Sequence, residues 1–172
     1  PGQLNYASSG STSHLAVEYF SMMANLKMNH VPYKSGAPAT VAIISGEVEV
    51  AFTSASAAMP HIKSGKLRGL GITTAQRSPL APQLPTVSEA GVPGYEVSTW
   101  HGLTVPAGTP AEIIARLNAE SVALLKLPDV HERYRAVDSV TLGSTPTEFG
   151  AHIRDEIRKW AKVVKDSGAV AD

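Results

Sequence analysis

The chain has 172 residues, of which 43% are apolar, so it can bury the core of one domain, or of one small domain and part of another. Fifteen basic and fifteen acidic side chains cancel, and there is no basic run interleaved with aromatic residues, which argues against nucleic acid as a partner. No stretch has the apolar length that crosses a bilayer, and the absence of cysteine excludes disulfides, thiolate nucleophiles and cysteine-ligated metals.

The first residues, Pro1-Gly2-Gln3-Leu4, contain no methionine and lead almost at once into a predicted strand. We therefore expect the sequence to start partway through a larger polypeptide. On that expectation, a missing signal peptide says nothing about where the parent protein resides.

A turn rich in small and hydroxyl residues separates the first predicted strand, Leu4–Ala7, from the first predicted helix. Apolar side chains recur along that helix at intervals of three and four residues, at Leu15, Tyr19, Met22, Met23 and Leu26. Free backbone N–H groups, hydroxyls and the positive end of a helix dipole meet in such a turn, so the pattern predicts an anion-binding site. The residues assigned to it are Ser8, Ser9, Gly10, Ser11, Thr12, Ser13 and His14. An ordinary helix cap without a ligand is the alternative.

Alternating strands and helices continue to about residue 75. Further strands are predicted over Met28–Tyr33, Val48–Thr53 and Leu67–Thr73, and further helices over Pro38–Ile44 and Ser56–Ser64. Strands separated by helices of this length pair in parallel, so the fold class is α/β.

The third strand also ends in hydroxyl residues, Thr53 and Ser54. Ligands of parallel α/β sheets gather outside the carboxyl ends of the strands, so we expect both residues to line the same crevice as the first turn. Tyr33 and Lys34 precede a glycine turn and could close over a carboxylate. The alternatives are a second plain helix cap, a half-buried Tyr33 and a solvated Lys34.

From Arg77 to Pro110 the sequence is rich in proline and glycine and reads as an extended connection, with room for a strand within Gly94–Val105. Helices are predicted after two capping boxes, Thr109–Glu112 and Thr145–Glu148. Each carries an apolar stripe that we expect to be buried: Ile113, Leu117, Leu124 and Leu125 on the first helix, and Phe149, Ile153, Ile157, Trp160 and Val164 on the second.

Catalytic and metal-binding patterns are weak. The six histidines do not place two ligands on one helical face, and the nucleophile pattern Gly-x-Ser-x-Gly is absent. A serine-dependent α/β hydrolase of small esters, using a loop serine with His14, stays open as the alternative function, because such a group can be assembled by the fold alone.

Several segments in a fixed order carry a family resemblance. They are Leu4–Gly10 with His14-Leu15, His30–Lys34, Pro60–Arg68, Leu84–Gly91, Pro93–Tyr95, Trp100, Gly102-Leu103 and Pro106–Pro110. In these segments the chain resembles the extracytoplasmic solute receptors of the tripartite tricarboxylate transporter family, the Bug-type periplasmic binding proteins.

The resemblance implies a two-domain clamp of the type II periplasmic-binding-protein kind. Residues 1–80 would form the second, inserted α/β domain, 81–110 a crossover connection, and 111–172 the C-terminal helices of an incomplete first domain. It also implies a periplasmic protein, not an enzyme, that binds a small organic carboxylate without metal or cofactor and delivers it to a membrane permease. Many members have aspartate and asparagine where this chain has Thr53 and Ser54, which disfavours ligands with an ammonium group. The isolated chain is expected to form a homodimer or to exchange its C-terminal helices between copies.

Overall fold

The computed structural model describes residues 2–79, 81–137 and 139–169. It divides into two compact units, Pro1–Thr99 with Trp160–Asp172, and Trp100–Lys159. In chain order the elements are β1 (Asn5–Ser8), α1 (Ser11–Met23), β2 (Asn29–Pro32), α2 (Gly36–Ser45), β3 (Val50–Ala51), α3 (Ala55–Lys63), α4 (Ala111–Leu125), α5 (Pro128–Ala136) and α6 (Pro146–Ser167). The domain boundaries predicted at residues 80 and 110 stay predictions. Leu80 and residues 170–172 lie outside the described part of the chain.

A parallel sheet of three strands, in the order β2-β1-β3, forms the centre of the first unit. Ala7 of β1 is opposite Val31 of β2 on one side and Ala51 of β3 on the other. The sheet and the helices between its strands confirm the α/β class. The second and third helices begin within two residues of their predicted starts at Pro38 and Ser56.

The fourth predicted strand, Leu67–Thr73, is wrong. In the described chain this segment contributes only an isolated parallel bridge between Ile72 and Thr86. Gly69 and Gly71 interrupt its apolar residues, and a methyl group added at Gly71 would lie 3.3 Å from the Pro85 carbonyl oxygen. Glycine weakens a strand and marks close backbone approach, which explains the lost strand. The described residues of Gly94–Val105 also contain no strand.

Two apolar clusters form the core of the first unit. One joins Ala7 to α2 through Ala39 and Ala42, and the other packs Ala16 of α1 against Tyr95 and Val97. The Tyr95 hydroxyl donates a 2.8 Å hydrogen bond to the Ala16 carbonyl, which ties the proline-rich connection to α1.

A reciprocal hydrogen-bonded pair fixes the connection itself. The Glu89 carboxylate accepts a 2.8 Å bond from the Thr86 backbone amide, and the Glu89 amide donates a 3.0 Å bond to the Thr86 hydroxyl. Arg77 Nε lies 2.8 Å from the same carboxylate. The Thr86 amide, followed by Arg77, lowers the pKa of Glu89 below its ordinary value.

The second unit contains α4, α5 and the start of α6. The capping box at Thr145 is confirmed, since Glu148 Oε2 accepts a 2.8 Å bond from the Thr145 amide and the Glu148 amide donates a 3.2 Å bond to the Thr145 hydroxyl. The box at Thr109 is wrong, because its hydroxyl donates to the Pro106 carbonyl and Pro110 takes the capping position.

The apolar stripes of α4 and α6 are not buried as expected. No residue of α4 is buried, and Ile113, Leu117 and Leu124 are exposed. On α6, Ile157 and Val164 are exposed and Val163 is the buried residue. Sequence reasoning also missed α5, whose charged composition lacks an apolar stripe. Among the described helices, none combines the length and hydropathy needed to cross a bilayer.

Candidate functional site

Three helices begin just after the carboxyl ends of the three strands. Two residues separate β1 from α1, and three separate β2 from α2 and β3 from α3. Because the strands are parallel, these loops share one edge of the sheet. The helix-capping residues are Gly10, Ser35 and Ser54, and none makes a side-chain capping hydrogen bond. The edge therefore gathers the positive ends of helix dipoles whose first amides lack side-chain caps.

The loop between β1 and α1 is braced from within. Gly10 has φ 104° and ψ 168°, a conformation that residues with a side chain rarely adopt. The Ser13 hydroxyl accepts a 2.8 Å bond from the Ser9 amide and donates a 3.0 Å bond to the Gly10 carbonyl. Within residues 2–79, 81–137 and 139–169, the amides of Ser11 and Thr12 donate to no acceptor, and both residues are exposed. This loop can therefore offer backbone donors to an anion.

Two other predicted site residues form a buried layer next to the loop. Ser8 is only 1% exposed, and its hydroxyl lies 2.6 Å from His30 Nε2. His14 is also buried and stacks on His30 with a centroid separation of 3.9 Å. Direct ligand contacts from Ser8 and His14 stay predictions, and for Ser8 such a contact would require its hydroxyl to leave His30.

The role of His30 was missed by sequence reasoning. It lies opposite Tyr6 in the parallel register, so the pairing of β1 with β2 brings it against the residues beside the loop. The sequence indicated only that β1 and β2 end at the same edge of the sheet. Spacing alone does not give the register that places His30 opposite Tyr6.

The remaining site residues lie on the neighbouring loops of the same edge. Thr53 and Ser54 are exposed. Ser54 occupies the position before α3, and its hydroxyl accepts a 3.3 Å bond from the Ser56 hydroxyl. The Tyr33 amide donates a 2.9 Å bond to the Ser8 carbonyl. The structure thus brings Tyr33 against the first loop, whereas it gives Thr53 and Ser54 no hydrogen bond to that loop in the described chain.

An open cavity of about 440 Å³ is lined by Gly10, Pro32, Tyr33 and Lys34. The Tyr33 hydroxyl donates a 3.0 Å bond to Glu47, and burial, followed by that carboxylate, raises the pKa of Tyr33. Lys34 supplies a positive charge at the wall of the cavity that Gly10 also lines.

A metal centre is not indicated by the geometry of the described residues, since no three His, Cys, Asp or Glu side chains there could hold an ion together. What the edge offers is backbone amides, hydroxyls and one lysine. That set suits reversible recognition of an anion.

Comparison with known proteins decides the family. The family model described as "Tripartite tricarboxylate transporter family receptor" matches residues 1–169. The chain belongs to this receptor family. Protein BugT of Bordetella pertussis is 35% identical over 171 residues, an alignment that covers 98% of this chain and 52% of BugT. A protein from the tcbD-tcbE intergenic region of Pseudomonas sp. strain P51 is 35% identical over 167 residues, covering 95% of this chain and 50% of that protein.

Solved structures of similar proteins share the fold. The R. palustris protein Rpa4515, solved with adipate, has a TM-score of 0.81 and 37% identity, and the match covers 98% of this chain and 57% of Rpa4515. MatC from Rhodopseudomonas palustris, solved with bound malate, has a TM-score of 0.71 and 30% identity, covering 95% of this chain and 57% of MatC. The chain spans about half the length of BugT and of the Pseudomonas sp. strain P51 protein.

Proposed function

We propose that the protein captures a small organic carboxylate at the carboxyl edge of the β2-β1-β3 sheet and presents it, in the periplasm, to the membrane permease of a tripartite tricarboxylate transporter. The observation that carries this proposal is the loop at Gly10, where the amides of the exposed residues Ser11 and Thr12 have no acceptor in the described part of the chain and Gly10 lines a cavity with Lys34 in its wall. Membership of the receptor family, together with the adipate and malate found on its neighbours, supports the ligand class.

Each group has a role suited to a carboxylate. The amides of Ser11 and Thr12 would donate to the carboxylate oxygens, and the α1 dipole would favour their charge. The hydroxyls of Thr53 and Ser54 would bind from the neighbouring loop, and Lys34 would attract a second acidic group. Since Thr53 and Ser54 bring no carboxylate, an amino acid would find no negatively charged partner for its ammonium group at these two positions.

The proposal includes no covalent step. The rival hydrolase needs a serine that a substrate can reach and that a histidine activates. Ser8 and His30 are within hydrogen-bond distance, but the Ser8 hydroxyl is buried, so an ester carbonyl has no path to it without opening of the loop. For the pair Ser8 and His30, the geometry therefore favours binding over ester hydrolysis, and a loop serine acting with His14 is left to the activity test below.

A thermal-shift screen tests the proposal on the 172-residue chain. Adipate and malate would be compared with dimethyl adipate, which keeps the length of adipate and removes its charge. A ligand at a hundredfold its dissociation constant stabilises the folded state by about 2.7 kcal/mol, so a true ligand raises the unfolding temperature and the diester does not. Turnover of 4-nitrophenyl acetate that is lost in Ser8→Ala would favour the hydrolase instead. Equal responses to acid and diester would refute recognition of a carboxylate.

A further inference from the structure

The outer face of α2 is apolar along its whole length. The helix contains no charged residue, and its inner face is buried in the core through Ala39 and Ala42. Opposite them, Ala37, Val41 and Ile44 follow one another at intervals of four and three residues, so they form one stripe along the helix. All three are exposed, and Val41 is 65% exposed. We call Ala37, Val41 and Ile44 the α2 stripe.

The polar side chains of α2 do not offset this apolar face. The Thr40 hydroxyl donates a 2.8 Å bond to the Gly36 carbonyl, and the Ser45 hydroxyl donates a 3.0 Å bond to the Ala42 carbonyl. Both hydroxyls are therefore bonded back to the helix itself. A helix at a protein surface ordinarily carries charged or polar groups on its outer face, and a helix that is apolar all round is ordinarily covered. The composition of α2 is thus that of a covered helix.

Charges of opposite sign frame the α2 stripe. Lys34 lies two positions before the first residue of α2, and Glu47 lies two positions after the last, with Glu49 close behind it. All three side chains are exposed. The outer face of α2 is therefore positive at one end, apolar in the middle and negative at the other end.

This order of groups is complementary to itself when two copies of α2 pack antiparallel. About a twofold axis at the middle of the helix, Lys34 of one copy lies level with Glu47 of the other, and Ala37 lies level with Ile44. A small side chain then faces a large one, and the two copies of Val41 meet near the axis. Twofold interfaces require such self-complementarity, and the short side chains allow the usual helix spacing of about 8–10 Å.

We propose that the α2 stripe is the contact of a homodimer in which two copies of α2 pack antiparallel. The proposal does not depend on the carboxylate site, and it concerns a different helix from α4, whose exposed side chains belong to the other compact unit. A ten-residue helix is about 15 Å long and presents a smaller face than the interface of a stable complex. The dimer is therefore weak and forms at high protein concentration.

The absence of cysteine from the chain allows a direct test of the antiparallel contact. A disulfide forms only between residues whose Cα atoms come within about 7 Å, so a single introduced cysteine reports on one position. Under mild oxidation of the 172-residue chain, we expect Val41→Cys to give linked dimers. The matched control Leu70→Cys, which is 67% exposed in the same compact unit, stays largely monomeric. Ala37→Cys and Ile44→Cys should link to each other when mixed and link less when alone.

Charge reversal tests the two ends of the contact by sedimentation. Lys34→Glu and Glu47→Lys each bring like charges together at two rim positions, so each should weaken dimerisation by about tenfold. An equal mixture of the two variants restores it, because opposite charges meet again. A loss of fold in either variant would not be repaired by mixing. The buffers contain no carboxylate, since Lys34 also attracts the ligand under the proposed function.

Four results would overturn the proposal. One is a wild-type chain that stays monomeric up to about 1 mM. A second is linking of Leu70→Cys as fast as that of Val41→Cys. A third is linking of Ala37→Cys alone as efficient as that of its mixture with Ile44→Cys, which would indicate parallel helices. The fourth is a dimer that Leu124→Lys removes and Lys34→Glu leaves intact, which would assign the contact to α4 instead.

Discussion

Substitution of Gly10 by alanine separates backbone geometry from side-chain crowding at the candidate site. An added methyl group would meet no atom within 4 Å, so steric overlap contributes nothing to its effect. The backbone at φ 104° and ψ 168° is nevertheless almost restricted to glycine, and such a conformation costs a residue with a side chain about 1–3 kcal/mol. In Gly10→Ala the loop therefore either keeps this conformation under strain or moves away from the geometry that leaves the first amides of α1 open.

The expected loss of carboxylate affinity follows from the same strain. If the loop relaxes in the free protein, it must return to the strained conformation on binding. A strain of about 1–3 kcal/mol then raises the dissociation constant of the carboxylate by 5- to 150-fold. Titration calorimetry measures this change, and chemical denaturation measures how much strain remains in the folded state. The strain should appear in one of the two measurements.

Gly46→Ala is the matched control. Gly46 caps the C-terminus of α2 with φ 78° and ψ 16°, and a methyl group there also meets open space. The ten-residue helix places it about 15 Å from the binding edge, so we expect a stability loss of about 1 kcal/mol with unchanged affinity. Wild-type stability and wild-type affinity in Gly10→Ala, or an equal loss of affinity in Gly46→Ala, would refute the reasoning.

Three further outcomes are expected. Thr53→Ala and Ser54→Ala each remove a hydroxyl assigned to the ligand and should weaken carboxylate binding by about 0.5–1.5 kcal/mol per lost hydrogen bond without unfolding the chain, and unchanged calorimetric affinity in both would refute the role of these hydroxyls. The lowered pKa of Glu89 stabilises the fold above the ordinary glutamate pKa of about 4.3, and that stabilisation is lost as the pH falls through the lowered value. Denaturation across pH should therefore show a flatter acid limb for Glu89→Gln, and identical limbs would contradict the assignment. The exposed apolar side chains of α4 should drive self-association that rises with concentration in sedimentation experiments, whereas a strict monomer at high concentration would count against it.

Local chemistry made much of the first unit predictable from sequence. The hydroxyl-rich turn at Ser11 and the apolar spacing of α1 fixed a strand, a turn and a helix within a few residues of their observed bounds. The capping box at Thr145 was equally readable, because both of its hydrogen bonds join residues three positions apart. The failure at Leu67–Thr73 has a different cause, since only the chain that packs against Gly69 and Gly71 determines whether that segment pairs as a strand.

The layer beside the loop was beyond sequence reasoning for a similar reason. His14 and His30 are sixteen positions apart in the sequence numbering, and their stacking depends on strand register and on the angle at which α1 crosses the sheet. The burial of Ser8 follows from the same packing, because a residue at the end of a central strand is covered from both sides. Spacing identified the loop, whereas packing decides which of its hydroxyls face outward.

The unused capping groups at the sheet edge give the strongest physical link between this fold and a ligand. Pro110 and Leu127, which precede α4 and α5, have no side-chain acceptor and could not cap a helix by that route. Ser35 and Ser54 have such acceptors, but neither accepts a capping bond from a backbone amide of its helix, although a serine cap stabilises a helix by about 1 kcal/mol. The chain therefore forgoes stabilisation at the same edge where Gly10 leaves the α1 amides open. A bound carboxylate would supply the missing acceptor. Binding of the ligand would therefore also stabilise these helix ends.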